Sequence, residues 1–564
     1  MGDRVIDYIL CRRAELECGS LLPHSKASHP CPMTAPASFH EKLRVRPTMN
    51  DPYVSANSQL NPRPQATGAW RKYFSFPVFL GALLVAATFI AIRGNLDAVR
   101  AAPAASSPQF FLEGDLWWHI TTGKQILATH TWPTSDTYSF TAAGTAWIAY
   151  EWLSEIALAL VDRLGGLRGL ATLYIALQSA IVLLIYFYAH LRCRNVRSAF
   201  FAAAGMLPLA SQFSLLRPQE FGYVFWLITL ICLERFRQGH RRALWTLPIV
   251  LAAWVNTHGS FVLGYVALAV YAVCGLVEGR RGGVEARRWS SNQRRQLEII
   301  SLLSALALTL TPYGTRLAFY PFRMAHSQHT VVAVLHEWRP LEWGQWYGIM
   351  FLLLLLSFLV AQILYRPACR LEDLVLLFLA VYATAAHQRF LLFFVPVFAP
   401  MLAVVLARWV PPLAETRDRY VLNAVLILGI GAGVVAFLPR TPELASALQR
   451  RAPEGAVEYL RSHEVPGPMF NDSDWGGYLI AARWPAHKVF IDGRFDVYEY
   501  SGVLPDYLRI MQPSPQALRL LAKYNVQSCL LKRDSALAGL IETQPEWKRV
   551  YTDDVSVLLV RKKH

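Results

Sequence analysis

Apolar runs of 17–23 residues recur from residue 74 to residue 438, and nothing constrains this chain more. Such runs match the thickness of a bilayer's hydrocarbon core and are too many for one soluble core. The composition agrees, at 54% hydrophobic and only 17% charged over 564 residues. The expected fold class is therefore an α-helical polytopic membrane protein. Eleven spans are read, at 74–93, 168–190, 198–215, 219–236, 243–257, 260–278, 297–313, 348–365, 371–387, 390–408 and 420–438. The fifth is short and expected to be tilted or partly unwound.

The formal charge of +16 invites a nucleic-acid partner. The placement of the basic residues argues against one. With a cytoplasmic N-terminus anchored by Arg71 and Lys72, the even-numbered loops all face inward and hold 17 arginines, while the outer loops are poor in Lys and Arg. That is the positive-inside pattern. Cys193, Cys232, Cys274 and Cys369 fall on the same reduced side, and no metal-type cysteine spacing occurs.

Residues 1–70 are polar and are read as a disordered tail or, the favoured alternative, a start-site error with Met49 as the first residue. No function is placed there. Residues 71–439 form the membrane domain, with long outer loops at 94–167 and 314–347; segment 151–164 is expected to lie as a helix in the outer interface. After residue 439 helical and strand-like stretches alternate, so 440–564 is expected to be a small extracytoplasmic α/β domain with its own core.

This topology gathers the chemically capable residues on the outer face. Glu113 and Asp115, in EGDLWWH, can share a divalent cation (Mg or Mn), or one can act as a general base. His119 follows Asp115 by four residues and shares its helix face. The plain structural alternative makes Asp115 a helix N-cap and Trp117 and Trp118 interface anchors. Arg217, Arg316 and Arg389 lie near outer helix ends, and His258 lies in an outer loop; together they suit an anionic lipid headgroup. Each arginine also fits simple snorkelling. Glu151, His336 and Glu337 are candidates for holding an acceptor or supporting the first loop. In the C-terminal region Asn471, Asp474, Asp492, Arg494 and Asp496 suit either an acceptor-binding face or ordinary turns and caps.

One span leads to a long outer loop bearing Glu113-Gly114-Asp115, and the segment GGLRGLATLYIALQSAIVLLIYFYAHLRCR follows. In these features the chain resembles the C-type (GT-C) integral-membrane glycosyltransferases, in their protein-mannosyltransferase-like branch. More narrowly, over about residues 74–560, it resembles a group of bacterial membrane proteins through GDLWWHITTGKQIL, WPTSDTYSFT, YEWLSE, RPQEFGY, WVNTHGSFVLG, HEW, WGGYLI and VFIDGR. Where that group is expected to carry His before EWL, this chain has Tyr150. The resemblance implies an inverting sugar transfer from a polyprenyl-phosphate donor to a glycan, lipid or protein acceptor, at the outer face of a bacterial inner membrane. Asp115 would activate the acceptor and arginines would hold the departing phosphate. The competing expectations are a transporter or flippase, and a non-catalytic envelope-assembly scaffold. Few ionisable groups mid-span and no paired repeat speak against the transporter.

Overall fold

The computed structural model describes residues 70–104, 108–327, 329–414 and 418–562. The N-terminal tail and Arg417, one of the inner-loop arginines, lie outside them. Each of the eleven predicted stretches contains a helix. Among the described residues four helical segments are long and apolar enough to cross a membrane: Trp70–Ala101, Trp152–Cys193, Trp346–Tyr365 and Gln388–Leu406. Tyr420–Ala436 and Thr441–Gln449, bent by 56°, make a fifth if taken as one. The fifth predicted span is a 3₁₀ turn, Arg241–Thr246, followed by a nine-residue helix, Leu247–Val255. Helix Trp346–Tyr365 exposes Leu353, Leu356, Leu359 and Ile363, a stripe that water would force inward and lipid accepts.

The expected interface helix and the second span prove to be one element, Trp152–Cys193. Its break is at Gly166 (φ 53°, ψ −145°), a conformation that only glycine adopts without strain. This element packs against helices Phe76–Ala101, Gly114–Thr129, Val196–Ser211, Gln219–Arg237 and Leu391–Leu406. The last is buried along almost its whole length. At the end of the bundle where Cys193 lies, a small sheet joins strands Gly279–Arg281, Val284–Ala286 and Cys369–Arg370.

The C-terminal region holds a four-stranded sheet in the spatial order Met469–Asn471, Ser528–Lys532, Ser556–Arg561, Trp547–Thr552. The first pair is parallel, with Phe470 opposite Cys529, and the others are antiparallel. Its core is not its own. Trp118, Ile126, Tyr138 and Trp147 of the first long loop pack into one buried cluster with Phe470, Phe490, Leu530 and Leu558. Backbone bonds stitch the two together: the Phe140 N–H donates to the Val489 carbonyl, and the Val489 N–H to the Tyr138 carbonyl, each at 3.1 Å. The alternating β pattern was visible in the sequence. The apolar face that closes over it comes from more than 300 residues upstream, which periodicity does not reveal.

Candidate active site

Helix Gly114–Thr129 starts at Glu113, whose extended backbone (φ −92°, ψ −177°) makes it the N-cap, although its side chain caps nothing. The capping role considered for Asp115 is thereby overturned. Asp115 sits in the first turn and turns its carboxylate outward to Arg217 (Nη2–Oδ2 3.0 Å) and to the Trp118 indole N–H (3.4 Å). Arg217 Nε pairs with Glu113, and its Nη1 lies 3.7 Å from Glu337. Glu337 in turn pairs with Arg389 at 3.2 Å, and that guanidinium lies 4.3 Å from the ring centroid of Trp338. The result is one alternating chain of charge: Glu113 and Asp115, Arg217, Glu337, Arg389.

The sequence around each member explains its place. In RPQE, Glu220 is the anchor: it accepts from Ser214 Oγ (2.9 Å) and Gln178 Nε2 (2.5 Å), fixing the turn that carries Arg217. The Leu216 N–H donates to the Phe111 carbonyl at 3.0 Å, which sets Arg217 in register with the acidic pair. HQR zips onto HEW, with His387 Nδ1 on the Trp338 carbonyl (2.6 Å) and Gln388 Nε2 on that of His336 (2.5 Å). Arg389 is thus aimed by its two neighbours.

A second polar group lies deeper in the same cavity. Glu151 sits between two histidines, His258 Nε2 at 3.5 Å and His119 Nε2 at 3.7 Å, while His119 Nδ1 meets Glu155 at 3.2 Å. His258 Nδ1 accepts the Ser260 backbone N–H at 3.2 Å, which leaves the ring proton on Nε2, facing Glu151. YEWLSE is tied to NTHGS by Trp152 Nε1 on Asn256 Oδ1 (2.8 Å) and Ser154 Oγ on the Thr257 carbonyl (3.0 Å).

Burial sets the protonation. It pushes Glu113 up to about 7 and raises Asp115, in both cases against the pull of Arg217. It pushes Glu151 up to about 8, against Arg389 and Arg217. Burial opposes Glu337 as well, but there Arg389 and Arg217 win and hold it below its ordinary range. His258 is driven down to about 3 by burial and Arg389, and His119 well below its ordinary value by burial and then Arg217. Both histidines are neutral at pH 7. The site thus combines two fixed guanidinium charges with carboxyls that take protons easily.

The C-terminal region forms the remaining wall. A Cβ placed on Gly493 would lie 1.6 Å from Asp115 Oδ1, one on Gly477 would lie 2.2 Å from the Gly114 carbonyl oxygen, and one on Gly114 would lie 1.9 Å from that of Asp474. The glycines of EGD, WGG and DGR are therefore the contact surface between these segments. Behind them Arg494 pairs with Asp136 and Asp492, each at 2.7 Å. The cavity measures about 800 Å³, and Arg450, Arg451, Lys532 and Arg533 stand along its wall.

Of the residues singled out from sequence, Glu113, Asp115, His119, Glu151, Arg217, His258, His336, Glu337 and Arg389 all line this cavity. Arg316 does not: it is exposed on the short helix Thr315–Ala318 and is not among the lining residues. His258 serves Glu151 rather than the arginines. His336 stands at the rim, 3.5 Å from Glu342. As they stand, Glu113 and Asp115 do not fit a divalent cation, because the Arg217 guanidinium already lies against both carboxylates. Among the described residues no group of three or more His, Cys, Asp or Glu is arranged to hold a metal ion. Residue-type reasoning passed over Trp147, Gly493 and the basic wall. The paired glycines of WGG and the DG step were the available signal for close backbone approach.

No protein-family profile matches the sequence, and no curated protein matches it. Among solved structures, the chain is similar to the Archaeoglobus fulgidus oligosaccharyltransferase tethered to an acceptor peptide containing the NVT sequon. That likeness has 11% identity and a TM-score of 0.47, covering 85% of this chain and 74% of that one. The archaeal oligosaccharyltransferase AglB from the same organism, with an inhibitory peptide and a dolichol-phosphate, gives 11% identity and a TM-score of 0.43, covering 79% and 69%. ArnT from Cupriavidus metallidurans, bound to undecaprenyl phosphate, gives 14% identity and a TM-score of 0.43, covering 85% and 97%.

Proposed function

We propose that this chain is a membrane glycosyltransferase that moves a sugar from a polyprenyl-phosphate donor to an acceptor hydroxyl, at the outer face of a bacterial inner membrane. The observation that carries the reading is Asp115 held against Arg217, which Glu337 links to Arg389, inside one cavity. A half-buried carboxylate whose proton affinity is raised is a stronger base. Two guanidinium groups beside it provide planar donors for a phosphate. Asp115 accepts the proton of the acceptor hydroxyl as its oxygen attacks the anomeric carbon. The bond from that carbon to the phosphate oxygen breaks with inversion, and the polyprenyl phosphate leaves with the electron pair. Arg217 and Arg389, released in part from Glu113 and Glu337, take up the charge that develops there.

A second cavity of about 480 Å³ lies between helices Phe76–Ala101, Trp152–Cys193 and Val196–Ser211, walled by Ile92, Ile181, Val182 and Leu207. It shares Gln109, Gln212, Phe213 and Leu215 with the first, which supports an isoprenoid tail running from lipid to headgroup. The motif resemblance to C-type glycosyltransferases supports the same reaction. The inner-loop arginines support the orientation, with the C-terminal region outside. The test is reconstitution with a panel of polyprenyl-phosphate sugars, following release of polyprenyl phosphate by wild type and Asp115→Asn. Release that the substitution leaves unchanged overturns the role of Asp115. Movement of labelled lipid across the bilayer without sugar transfer overturns the reaction itself.

A further inference from the structure

A divalent cation shared by Glu113 and Asp115 is one of the roles the sequence leaves open for the EGD motif. Mg²⁺ and Mn²⁺ bind through oxygen lone pairs, several at once. What faces each oxygen therefore decides whether a cation can enter. Glu113 Oε1 takes Arg217 Nε, and its Oε2 faces Gln109 Nε2 at 3.4 Å. Asp115 Oδ2 takes Arg217 Nη2 at 3.0 Å, and its Oδ1 accepts the Trp118 indole N–H at 3.4 Å. Glu337 Oε1 pairs with Arg389 Nη1 at 3.2 Å, and its Oε2 lies 3.7 Å from Arg217 Nη1. Each carboxylate oxygen of the three acids thus faces a nitrogen that carries hydrogen, and Arg217 alone meets all three.

Among the described residues the neighbouring acids are engaged elsewhere. Asp492 accepts from Arg494 Nε at 2.8 Å and Tyr498 Oη at 2.6 Å, Asp496 from Tyr320 Oη at 2.5 Å, and Asp474 pairs with Lys532 at 2.5 Å. Backbone closes the remaining side of Asp115, since a Cβ added to Gly493 would lie 1.6 Å from Oδ1. Arg217 cannot give up its charge, because a guanidinium does not lose its proton in a protein. It can make room only by swinging away. The turn that carries it is pinned by the Leu216 N–H on the Phe111 carbonyl (3.0 Å) and by Ser214 Oγ on Glu220 (2.9 Å). A cation entering between the two carboxylates meets that fixed positive charge at contact distance.

We propose that Arg217 occupies the place of the divalent cation, and that sugar transfer by this chain needs no divalent metal ion. The proposal rests on the glycosyltransferase reading and defines its cofactor requirement. A guanidinium can hold the acid pair in position as a cation would. It has five N–H bonds, so two remain for a phosphate oxygen when each nitrogen serves one acid.

The test uses the full chain in lipid nanodiscs with Mn²⁺ as the probe, its binding followed by paramagnetic resonance. Wild type is expected to hold no more Mn²⁺ than Asp115→Asn. Arg217→Gln removes the charge and keeps a polar side chain. It is expected to bind Mn²⁺ at least about tenfold tighter than wild type, a gain that a second substitution, Asp115→Asn, abolishes. Arg217→Lys keeps the charge and should stay at the wild-type level. In the transfer assay, excess EDTA should leave the wild-type rate unchanged. Mn²⁺ held by wild type and lost in Asp115→Asn overturns the proposal without any change at Arg217. So does a transfer rate that EDTA abolishes and Mg²⁺ or Mn²⁺ restores. An Arg217→Gln chain that gains no Mn²⁺, or an equal gain in Arg217→Lys, overturns it as well. Failure of the underlying reading has a different signature: no sugar lipid is turned over with or without metal, while Mn²⁺ binding still reports what Arg217 excludes.

Discussion

The two ends of the helical bundle hold the same kinds of residue in opposite states. At the end where Cys193 lies, Arg192 pairs with Glu234 (3.2 Å) and Asp373 (2.5 Å), Arg370 with Glu234 (2.6 Å), and Arg237 with Glu372. Three arginines meet three buried acids, and the side chains of Glu234 and Glu372 are at most 2% exposed. At the other end Arg217 and Arg389 face Glu113, Asp115 and Glu337 across an open cavity, two cations for three acids. Matched charge in a closed packing acts as a joint. Half-buried charge around an open cavity stays within reach of a ligand. Arginine and acid counts do not separate the two, but space and exposure do.

Removing one charge at the cavity end should give the largest effect. Asp115→Asn keeps the shape and the Trp118 contact but takes away the base, so sugar transfer is expected to fall about 10²–10⁴-fold with little change in thermal midpoint. Equal losses of stability and activity would mean that the two ends differ less than proposed. Gly493→Ala tests the same carboxylate without altering any charge. The added methyl collides with Asp115 Oδ1, so the carboxylate must move. A displacement of this order is expected to cost about 10²-fold in kcat. Binding of a bare polyprenyl phosphate, which depends on the arginines, should change far less.

The Cys193 end should answer in the opposite currency. Arg192→Gln takes the cation from Asp373 and leaves Glu234 with Arg370 alone, and breaking a buried pair in this way costs about 3–5 kcal/mol of stability. Transfer per folded molecule should stay within about twofold, since no cavity residue is touched. The check is a denaturation midpoint beside activity normalised to active protein. A large drop in normalised activity with an unchanged midpoint would break the contrast.

How much of this was legible beforehand differs by level. Helix at each apolar stretch follows from hydrophobic runs, and so does the grouping of EGD, RPQ, HEW and HQR on one face, because loop arginines fix which ends lie together. What the pattern could not supply was distance. Arg316 and Arg389 look alike in sequence, yet only Arg389 has neighbours, His387 and Gln388, that bind the HEW turn and aim it. The C-terminal region looked self-sufficient because strand alternation is local, while its core partners Trp118 and Trp147 are not. In the sequence Arg494 suits either an acceptor-binding face or an ordinary turn. Its burial depends on Asp136, which lies in the first loop.

The remaining prediction is the most diagnostic for the deeper pole. Burial raises Glu151 from an ordinary 4.5 to about 8, so between those values the folded chain keeps a proton that the unfolded chain has released. Stability from this group is complete below about pH 4.5 and declines as the pH climbs through about 8. The two histidines run the other way. Burial depresses both, His258 to about 3, so their contribution is present above about 6.5 and is lost as the pH falls. Glu113, raised to about 7, adds a slope of the same sign as Glu151. The raw pH profile of the midpoint therefore mixes opposing terms, and the informative quantity is the difference between wild type and Glu151→Gln. That variant keeps a hydrogen-bonding side chain between His119 and His258 but cannot ionise. Its midpoint relative to wild type should rise steadily as the pH is raised from about 5 to about 8. A flat difference would mean that Glu151 ionises as freely as a surface carboxylate. The deeper pole would then resemble an exposed rim more than the buried polar wall that sets it apart from the closed joint at the opposite end.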